Sequence, residues 1–251
     1  MDTFGLPRVG LLVPPENPVA EPEFHRLIGA EMNVYTTRFP VTPEFTKATM
    51  EMYNKVLPET LATFGLMSLD AAVVACNASH YLLDPGGDRA FCDELSEGAG
   101  FPVQSSTQAI LALCGALGVG RLTLVSPYAP WLTELSRAFW ERAGLAVERV
   151  VLAPAVVGPT DEGHHFNPYD VTTETILDRL RAARVPDGGT VLFTGTGMGT
   201  LGALNELVRE DAPFTLLTSN LASAWWARRT TGVDPVEAHP FLRRLERTAA
   251  R

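Results

Sequence analysis

The feature that most constrains the fold is a regular alternation of short apolar runs with longer stretches of helical periodicity. The apolar runs are too short to be helices and are rich in strand-forming residues. Glycines follow several helical stretches, at the position where a helix commonly ends. This alternation predicts an α/β protein whose parallel strands are covered by helices on both faces. The predicted strands span residues 9–13, 33–38, 71–75, 103–105, 122–126, 147–152, 190–194 and 214–218, and the predicted helices span residues 21–29, 43–64, 81–98, 107–117, 130–144, 172–183, 201–210 and 222–231.

The same order of elements occurs twice along the chain. The sequence LLVP at 11–14 begins one unit and LVSP at 124–127 begins the other, and the segment 70–79 matches 189–198 in layout. A duplicated α/β unit predicts two pseudo-symmetric domains with parallel sheets and one site in the cleft between them. We expect a first domain at residues 1–117, to which residues 219–251 return, and a second domain at residues 118–218.

The composition excludes several function classes. Twenty Lys and Arg against 29 Asp and Glu give a formal net charge of −9, whereas a nucleic-acid binder needs a basic surface to neutralise phosphates. No apolar run approaches the roughly 18 residues that cross a membrane, and the N-terminus lacks the basic segment of a secretion signal. The three cysteines form no CxxC pair and are too few for a disulfide framework. These features predict a cytoplasmic protein that binds neither nucleic acid nor membrane.

Cys76 carries the strongest chemical signal. It follows a predicted buried strand and precedes a polar turn that contains Asn77 and Ser79. In open α/β sheets ligands bind at the carboxyl ends of strands, and a helix N-terminus at that point favours a thiolate. Most free cysteines are small buried hydrophobes, and Cys92 and Cys114 fit that description because their neighbours are apolar. The polar neighbours of Cys76 single it out as a candidate catalytic residue.

The equivalent position in the second unit is a glycine-rich loop. Residues Thr194, Gly195, Thr196 and Gly197 follow a predicted strand, and their backbone N–H groups, with little side-chain bulk around them, suit a carboxylate. The loop also contains a formal GxGxxG pattern. A dinucleotide site would need an acidic residue at the end of the next strand, and that strand ends in LLTSN instead. We therefore expect a small carboxylate here, not a nucleotide.

Two further loops would face the same cleft. Asn17 lies in a proline-rich loop after the first strand, and Tyr128 lies in the matching loop of the second unit. An amide and a phenol can both donate hydrogen bonds to carboxylate oxygens. Asparagine and proline also shape turns, so the spacing alone leaves the role of these loops open. The adjacent His164 and His165 lack a metal-ligand spacing, and we expect no metal site there.

The segment 9–24, VGLLVPPENPVAEPEF, resembles the opening of the maleate cis–trans isomerases and arylmalonate decarboxylases, a branch of the aspartate/glutamate racemase superfamily. The likeness continues through 75–79, 104–107, 124–128 and 167–168, and it spans nearly the whole chain. The resemblance implies two pseudo-symmetric α/β domains with the site between them, no cofactor, a small carboxylate substrate and a homodimer.

The resemblance also implies residue roles. By position, Cys76 matches the first-domain catalytic cysteine, which in the isomerases adds to the double bond of maleate. Three residues match those that hold the substrate carboxylates, namely Asn17, Tyr128 and Asn167. Residues 194–196 match the second-domain loop, where most members carry a second cysteine and this chain has Gly195.

One thiol limits the chemistry. A two-base racemase needs an acid/base group on each face of its substrate, so we do not expect an amino-acid racemase. Isomerisation of a small cis-dicarboxylate needs one thiolate that adds, allows rotation and leaves again, with Asn77 and the backbone of Thr196 and Gly197 stabilising the charge that develops. Decarboxylation of a substituted malonate also needs one cysteine, as proton donor. A non-catalytic protein that binds a small acid is the third interpretation.

Overall fold

Two four-stranded parallel sheets form the framework of the computed structural model, which describes residues 3–42, 44–156, 164–234 and 238–249. The first sheet has the strand order β2-β1-β3-β4 and the second has the order β6-β5-β7-β8. The second half of the chain therefore repeats the topology of the first, and the predicted α/β class with two pseudo-symmetric units is confirmed. The strands are β1 (Arg8–Val13), β2 (Asn33–Arg38), β3 (Ala71–Val74), β4 (Val103–Ser105), β5 (Arg121–Ser126), β6 (Ala146–Leu152), β7 (Thr190–Phe193) and β8 (Thr215–Thr218).

The helices differ from the prediction at several places, including starts at Asp84 and Ser219 where Tyr81 and Ala222 were predicted. Helix α2 begins at Lys47 because the side chain of Thr46 caps it, accepting a hydrogen bond from the backbone N–H of Thr49 at 3.3 Å. The single turn α3 was predicted as a loop, and α10 forms because its amphipathic sequence buries Leu242 and Leu245. The helices are α1 (Ala20–Ile28), α2 (Lys47–Ala62), α3 (Asn77–His80), α4 (Asp84–Ala99), α5 (Ser106–Leu117), α6 (Pro130–Arg142), α7 (Thr173–Ala183), α8 (Leu201–Arg209), α9 (Ser219–Thr231) and α10 (Pro240–Ala249). Within the described parts of the chain, none of them is both long and apolar enough to span a membrane.

Both faces of each sheet are buried. Along β1, Leu11 and Val13 belong to one apolar cluster, whereas Leu12 belongs to another on the opposite face, as expected when side chains alternate along a strand. The first of these clusters also contains Leu124 and Leu192 of the second sheet, so one hydrophobic core is shared by the two halves. Helix α9 comes after β8 in the chain but packs against α1 and α5 of the first half.

The topology brings four loops together. In each sheet the second strand lies on one side of the first strand and the third strand lies on its other side. The chain therefore leaves the carboxyl ends of the first and third strands in opposite directions, which opens a crevice between them. Pairing continues one residue beyond β3 and β7, since Ala75 donates its N–H to Leu12 at 2.8 Å and Thr194 donates to Val125 at 3.0 Å. Cys76 and Gly195 consequently leave their sheets at equivalent positions, as the sequence repeat predicts.

Candidate active site

Cys76 lies between the end of β3 and the start of α3. Its backbone is extended, with φ −146° and ψ 96°, and its side chain turns into the protein, leaving 4% of the residue exposed. The hydroxyl of Ser79 donates a hydrogen bond to the sulfur over 3.4 Å. The carbonyl of Ser79 accepts a hydrogen bond from the side chain of Asn54 at 2.8 Å, which ties α3 to α2.

The thiol is not ionised as readily as the sequence led us to expect. Burial raises the pKa of Cys76 above its ordinary value. The Ser79 hydroxyl and the backbone N–H groups of Ser79 and Ala78 act in the opposite direction, but burial outweighs them. Helix α3 has only four residues, so its dipole is small. Burial therefore favours the neutral thiol over the thiolate.

Four tyrosines from both halves of the chain lie within electrostatic reach of the thiol. Burial raises the pKa of Tyr53, Tyr81, Tyr128 and Tyr169, and a negative charge on Cys76 adds to the shift of each one. Tyr53 and Tyr81 belong to the first half, whereas Tyr128 follows β5 and Tyr169 lies in a turn before α7. The sulfur is thus within electrostatic reach of phenols from the opposite half, although little of it is exposed.

A chain of hydrogen bonds connects the loops of the two halves beside Cys76. The amide nitrogen of Asn17 donates to the hydroxyl of Thr196 at 3.2 Å, and that hydroxyl donates to the carbonyl of Ala75 at 2.7 Å. The amide oxygen of Asn17 accepts from the backbone N–H groups of Val19 and Ala20 at 2.9 and 3.0 Å. Asn17 therefore both fixes the turn that leads into α1 and contacts the glycine loop, which we define as residues 194–200.

Gly195 leaves no room for a side chain in the glycine loop. Its φ of +97° lies in a region that residues with a Cβ rarely adopt, and a Cβ built on it would stand 2.7 Å from the hydroxyl oxygen of Tyr128. The N–H of Gly195 donates to the hydroxyl of Ser219 at 3.0 Å. Tyr128 thus occupies the space into which a cysteine at position 195 would extend.

Asn167 acts on the site through its neighbour Tyr169. Its side chain accepts from the N–H of Tyr169 at 3.1 Å and donates to Asp170 at 2.6 Å, which fixes the turn Pro168–Asp170. The ring of Tyr169 covers Gly197 so closely that a Cβ there would overlap it. Sequence reasoning selected Asn167, whereas the side chain that reaches the glycine loop is that of Tyr169.

Asn77 is a buried amide beside the thiol. The residue is 1% exposed, and neither polar atom of its side chain has a hydrogen-bond partner within the described part of the chain, although it lies near enough to Tyr81 to lower the pKa of that phenol. The Tyr81 hydroxyl contacts the hydroxyl of Thr194 across the two halves. Because buried amides are normally hydrogen-bonded, the free donor and acceptor of Asn77 suit a polar ligand.

A second buried polar cluster supports α3 from the side of α4 and α5. The Nδ1 atom of His80 lies 2.6 Å from a carboxylate oxygen of Asp88, whose other oxygen accepts from Ser105, Thr107 and Gln108. Burial alone would raise the pKa of Asp88, but His80 and these hydroxyl donors bring it below the ordinary value. The cluster fixes the orientation of α3 and so of Cys76.

The site contains residues that the sequence analysis missed. Tyr53 has the helical spacing of a core residue in α2, Tyr81 was taken as the first residue of a helix, and Tyr169 had no assigned role. The proximity of Tyr81 to Cys76 and of Tyr169 to Asn167 in the sequence was the only signal available. The other two cysteines are confirmed as buried, and burial raises the pKa of Cys92 and of Cys114 to about 12.

The family model described as arylmalonate decarboxylase matches residues 9–240. No curated protein matches the sequence.

Several solved structures share the fold. A maleate cis–trans isomerase of Nocardia farcinica with a covalently bound succinylcysteine intermediate is 20% identical, with a TM-score of 0.77 over 96% of this chain and 99% of that one. An arylmalonate decarboxylase is 20% identical, with a TM-score of 0.71 over 95% and 98% of the two chains. A maleate isomerase of Pseudomonas putida is 19% identical, with a TM-score of 0.74 over 91% and 94%. At these identities the likeness establishes the fold alone.

Proposed function

Since the chain belongs to the arylmalonate decarboxylase family, we propose that it is a cofactor-independent isomerase of a small unsaturated dicarboxylate, with Cys76 as its single nucleophile. The proposal rests on the environment of the Cys76 sulfur. One buried thiol lies within electrostatic reach of the Tyr128 phenol of the second half, the adjacent Ala75 is hydrogen-bonded to Thr196 and through it to Asn17, and the opposite strand-end loop has a glycine where a second thiol would stand. Addition and elimination of one thiol is a reaction that such a site can perform.

The bond changes of this reaction balance without a second acid or base. The sulfur forms a bond to one alkene carbon, and the alkene electron pair moves towards the adjacent carboxylate to give an enediolate. The thiol proton passes to an oxygen of this group. The former double bond is now a single bond and rotates, after which the proton returns to the sulfur, the sulfur–carbon bond breaks and the trans isomer is released.

The donors around the thiol would bind the acid and stabilise the enediolate. We assign the carboxylates to the amide of Asn17, the phenol of Tyr128 and the free amide of Asn77, together with backbone N–H groups of Thr196 and Gly197. Donors that are already in place where negative charge develops stabilise the transition state more than they stabilise the bound substrate, which lowers the barrier. In a solved cysteine-to-serine variant of the Nocardia farcinica isomerase the covalent intermediate is a succinylcysteine; a sulfur–carbon bond of the same kind is expected here on Cys76, with the added proton on oxygen while the intermediate is in its enediolate form.

The test is incubation of the purified protein with maleate. We expect fumarate by proton NMR and a covalent adduct on Cys76 by intact mass and peptide mapping. The Cys76→Ser variant should give neither, whereas Cys114→Ala, which alters a thiol buried in α5, should retain both. Fumarate formation by Cys76→Ser at the wild-type rate would refute the assigned nucleophile.

Decarboxylation of a substituted malonate is the second candidate function, and the raised pKa of the Cys76 thiol favours it. A thiol that stays protonated can donate its proton to the planar enediolate left after loss of carbon dioxide. Aromatic rings around the sulfur, including Tyr53 stacked on Phe39 at 4.8 Å between ring centroids, also suit an aryl substituent. Release of carbon dioxide from phenylmalonate, without an adduct and without isomerisation of maleate, would select this reaction.

A further inference from the structure

Glu23 is a buried carboxylate that the proposed reaction does not use. It lies on α1 with 4% of the residue exposed. One oxygen accepts from the backbone N–H groups of Thr200 and Leu201 at 2.6 and 2.9 Å, and the other accepts from the hydroxyl of Thr200 at 3.0 Å and from Asn220 at 2.8 Å. These partners lie at the start of α8 and in α9, so one side chain connects the first half to the end of the glycine loop.

The carboxylate occupies the N-terminus of α8. Such a terminus presents free N–H groups and a partial positive charge, and it commonly binds an anionic ligand. Here the Glu23 carboxylate accepts hydrogen bonds from the N–H groups of Thr200 and Leu201, so these groups are not available to an incoming acid. The N–H groups of Thr194 and Gly195 donate to Val125 and Ser219, so the substrate carboxylate is left with those of Thr196 and Gly197.

A second branch leads from Glu23 to the residue next to Cys76. The amide nitrogen of Asn220 donates both to Glu23 and to the carbonyl of Thr196, the latter at 3.1 Å. The hydroxyl of Thr196 in turn donates to the carbonyl of Ala75. Glu23 therefore holds the glycine loop at Thr200 directly and at Thr196 through Asn220.

We propose that Glu23 is a positioning residue that holds the glycine loop in place beside Cys76, through the contact of Thr196 with Ala75. The proposal rests on the proposed function and deepens it, since it assigns the positioning of the carboxylate-binding loop for the Cys76 reaction. Release of the loop should expose the thiol and misplace the donors that stabilise the enediolate.

Glu23→Gln tests this with little change of shape. If the amide oxygen of the introduced glutamine accepts from the N–H groups of Thr200 and Leu201, its NH₂ group points at the NH₂ group of Asn220. Two donors then face each other, and the hydrogen bond to Asn220 is lost. Asn220 can avoid this by turning its own oxygen towards the glutamine, but its nitrogen then no longer donates to Thr196. Either arrangement breaks the link to Thr196.

The readout is the rate at which iodoacetamide alkylates Cys76 at pH 8, measured by peptide mapping. We expect an increase of about tenfold in Glu23→Gln, the effect of losing one strong buried hydrogen bond that opposes local opening. Cys92 and Cys114 should stay unreactive. The matched control is Thr172→Ala, which removes the side-chain cap of α7 in the half that carries the glycine loop and should leave the Cys76 rate within about twofold of wild type despite its cost in stability.

Turnover provides the second readout. If the protein is active, Glu23→Gln should lower kcat by about tenfold with a smaller effect on KM, because positioning acts on the transition state. Thr172→Ala should change neither. If wild type converts neither maleate nor phenylmalonate, the proposed function fails, and the alkylation rates still decide the role of Glu23.

Asn220→Ala covers the case in which Glu23→Gln does not fold. It leaves the contact of Glu23 with α8 intact and removes only the link to Thr196, so it should also accelerate alkylation of Cys76. The proposal is overturned if the folded variant alkylates Cys76 at the wild-type rate, or if all three cysteines become reactive together, as in general loosening of the fold.

Discussion

The loop after β3 and the loop after β7 occupy equivalent positions in the two sheets but differ in chemistry. The first carries Cys76 with its side chain buried and hydrogen-bonded to Ser79. The second carries Gly195, whose side-chain space is taken by Tyr128. Both loops continue the pairing of their strands by one residue, so the backbone symmetry is preserved while the reactive groups are not.

This difference shows that the second loop is adapted to its glycine. If only the thiol had been lost, the Cβ position of residue 195 would be open space. Instead Tyr128 fills it, and the positive φ of Gly195 disfavours any other residue. The two equivalent loops therefore carry one thiol on one side and a glycine beside the Tyr128 hydroxyl on the other.

The largest expected effect is that of Cys76→Ser. A serine hydroxyl is a far weaker nucleophile and acid than a thiol, so kcat/KM should fall by about 10³-fold or more for either proposed reaction. Steady-state assays compare kcat/KM of Cys76→Ser with kcat/KM of Cys114→Ala. Equal losses in both variants would mean that the thiol of Cys76 has no special role.

Gly195→Cys tests whether the second loop can be made like the first. The Cβ at 2.7 Å from the Tyr128 hydroxyl and the unfavourable φ should lower the free energy of unfolding by about 2–4 kcal/mol. Urea denaturation of Gly195→Cys and Gly195→Ala measures the cost. Because the clash arises at the Cβ, both variants should lose a similar amount.

The double variant Gly195→Cys with Tyr128→Phe separates the clash from the backbone strain. Removing the hydroxyl relieves the nearest contact, so the double variant should be more stable than the sum of the single effects predicts. Strict additivity would show that Tyr128 does not compete with a side chain at position 195.

Much of the framework could be predicted from the sequence. The strand bounds follow from short apolar runs between glycine and proline, and each predicted strand lies within one residue of the observed one. Cys76 and Gly195 were recognised because each follows a buried strand. The domain boundaries and the dimer stay predictions.

The rest of the site depends on contacts that no local pattern reveals. Tyr53 and Glu23 lie on helices whose periodicity looks like that of any core helix, and their partners are far away in the chain. The burial that raises the pKa of Cys76 is likewise a tertiary property. The helix predicted beyond the polar turn after β3 suggested a thiolate, and only the packed structure shows that burial outweighs this effect.

The pH dependence of alkylation measures this balance in the first loop. Burial raises the pKa of Cys76, so the thiolate fraction, and with it the alkylation rate, should rise about tenfold per pH unit and continue to rise above pH 9. A thiol favoured as thiolate would instead reach its plateau near neutral pH. Peptide mapping after brief exposure to iodoacetamide, at pH values where the protein stays folded, gives the profile.

The smallest expected effect is that of Ser79→Ala, which removes the hydroxyl that donates to the Cys76 sulfur at 3.4 Å. This hydroxyl lowers the pKa of the thiol, so its loss should raise that pKa further and slow alkylation at pH 8 by about three- to tenfold. Ser106→Ala is the matched control, because the Ser106 hydroxyl lies nearby but donates to the carbonyl of Val74 at 3.0 Å. If both variants shift the pH profile of Cys76 alkylation equally, the change comes from packing around β3. The Ser79 hydroxyl would then have no specific effect on the pKa of the thiol.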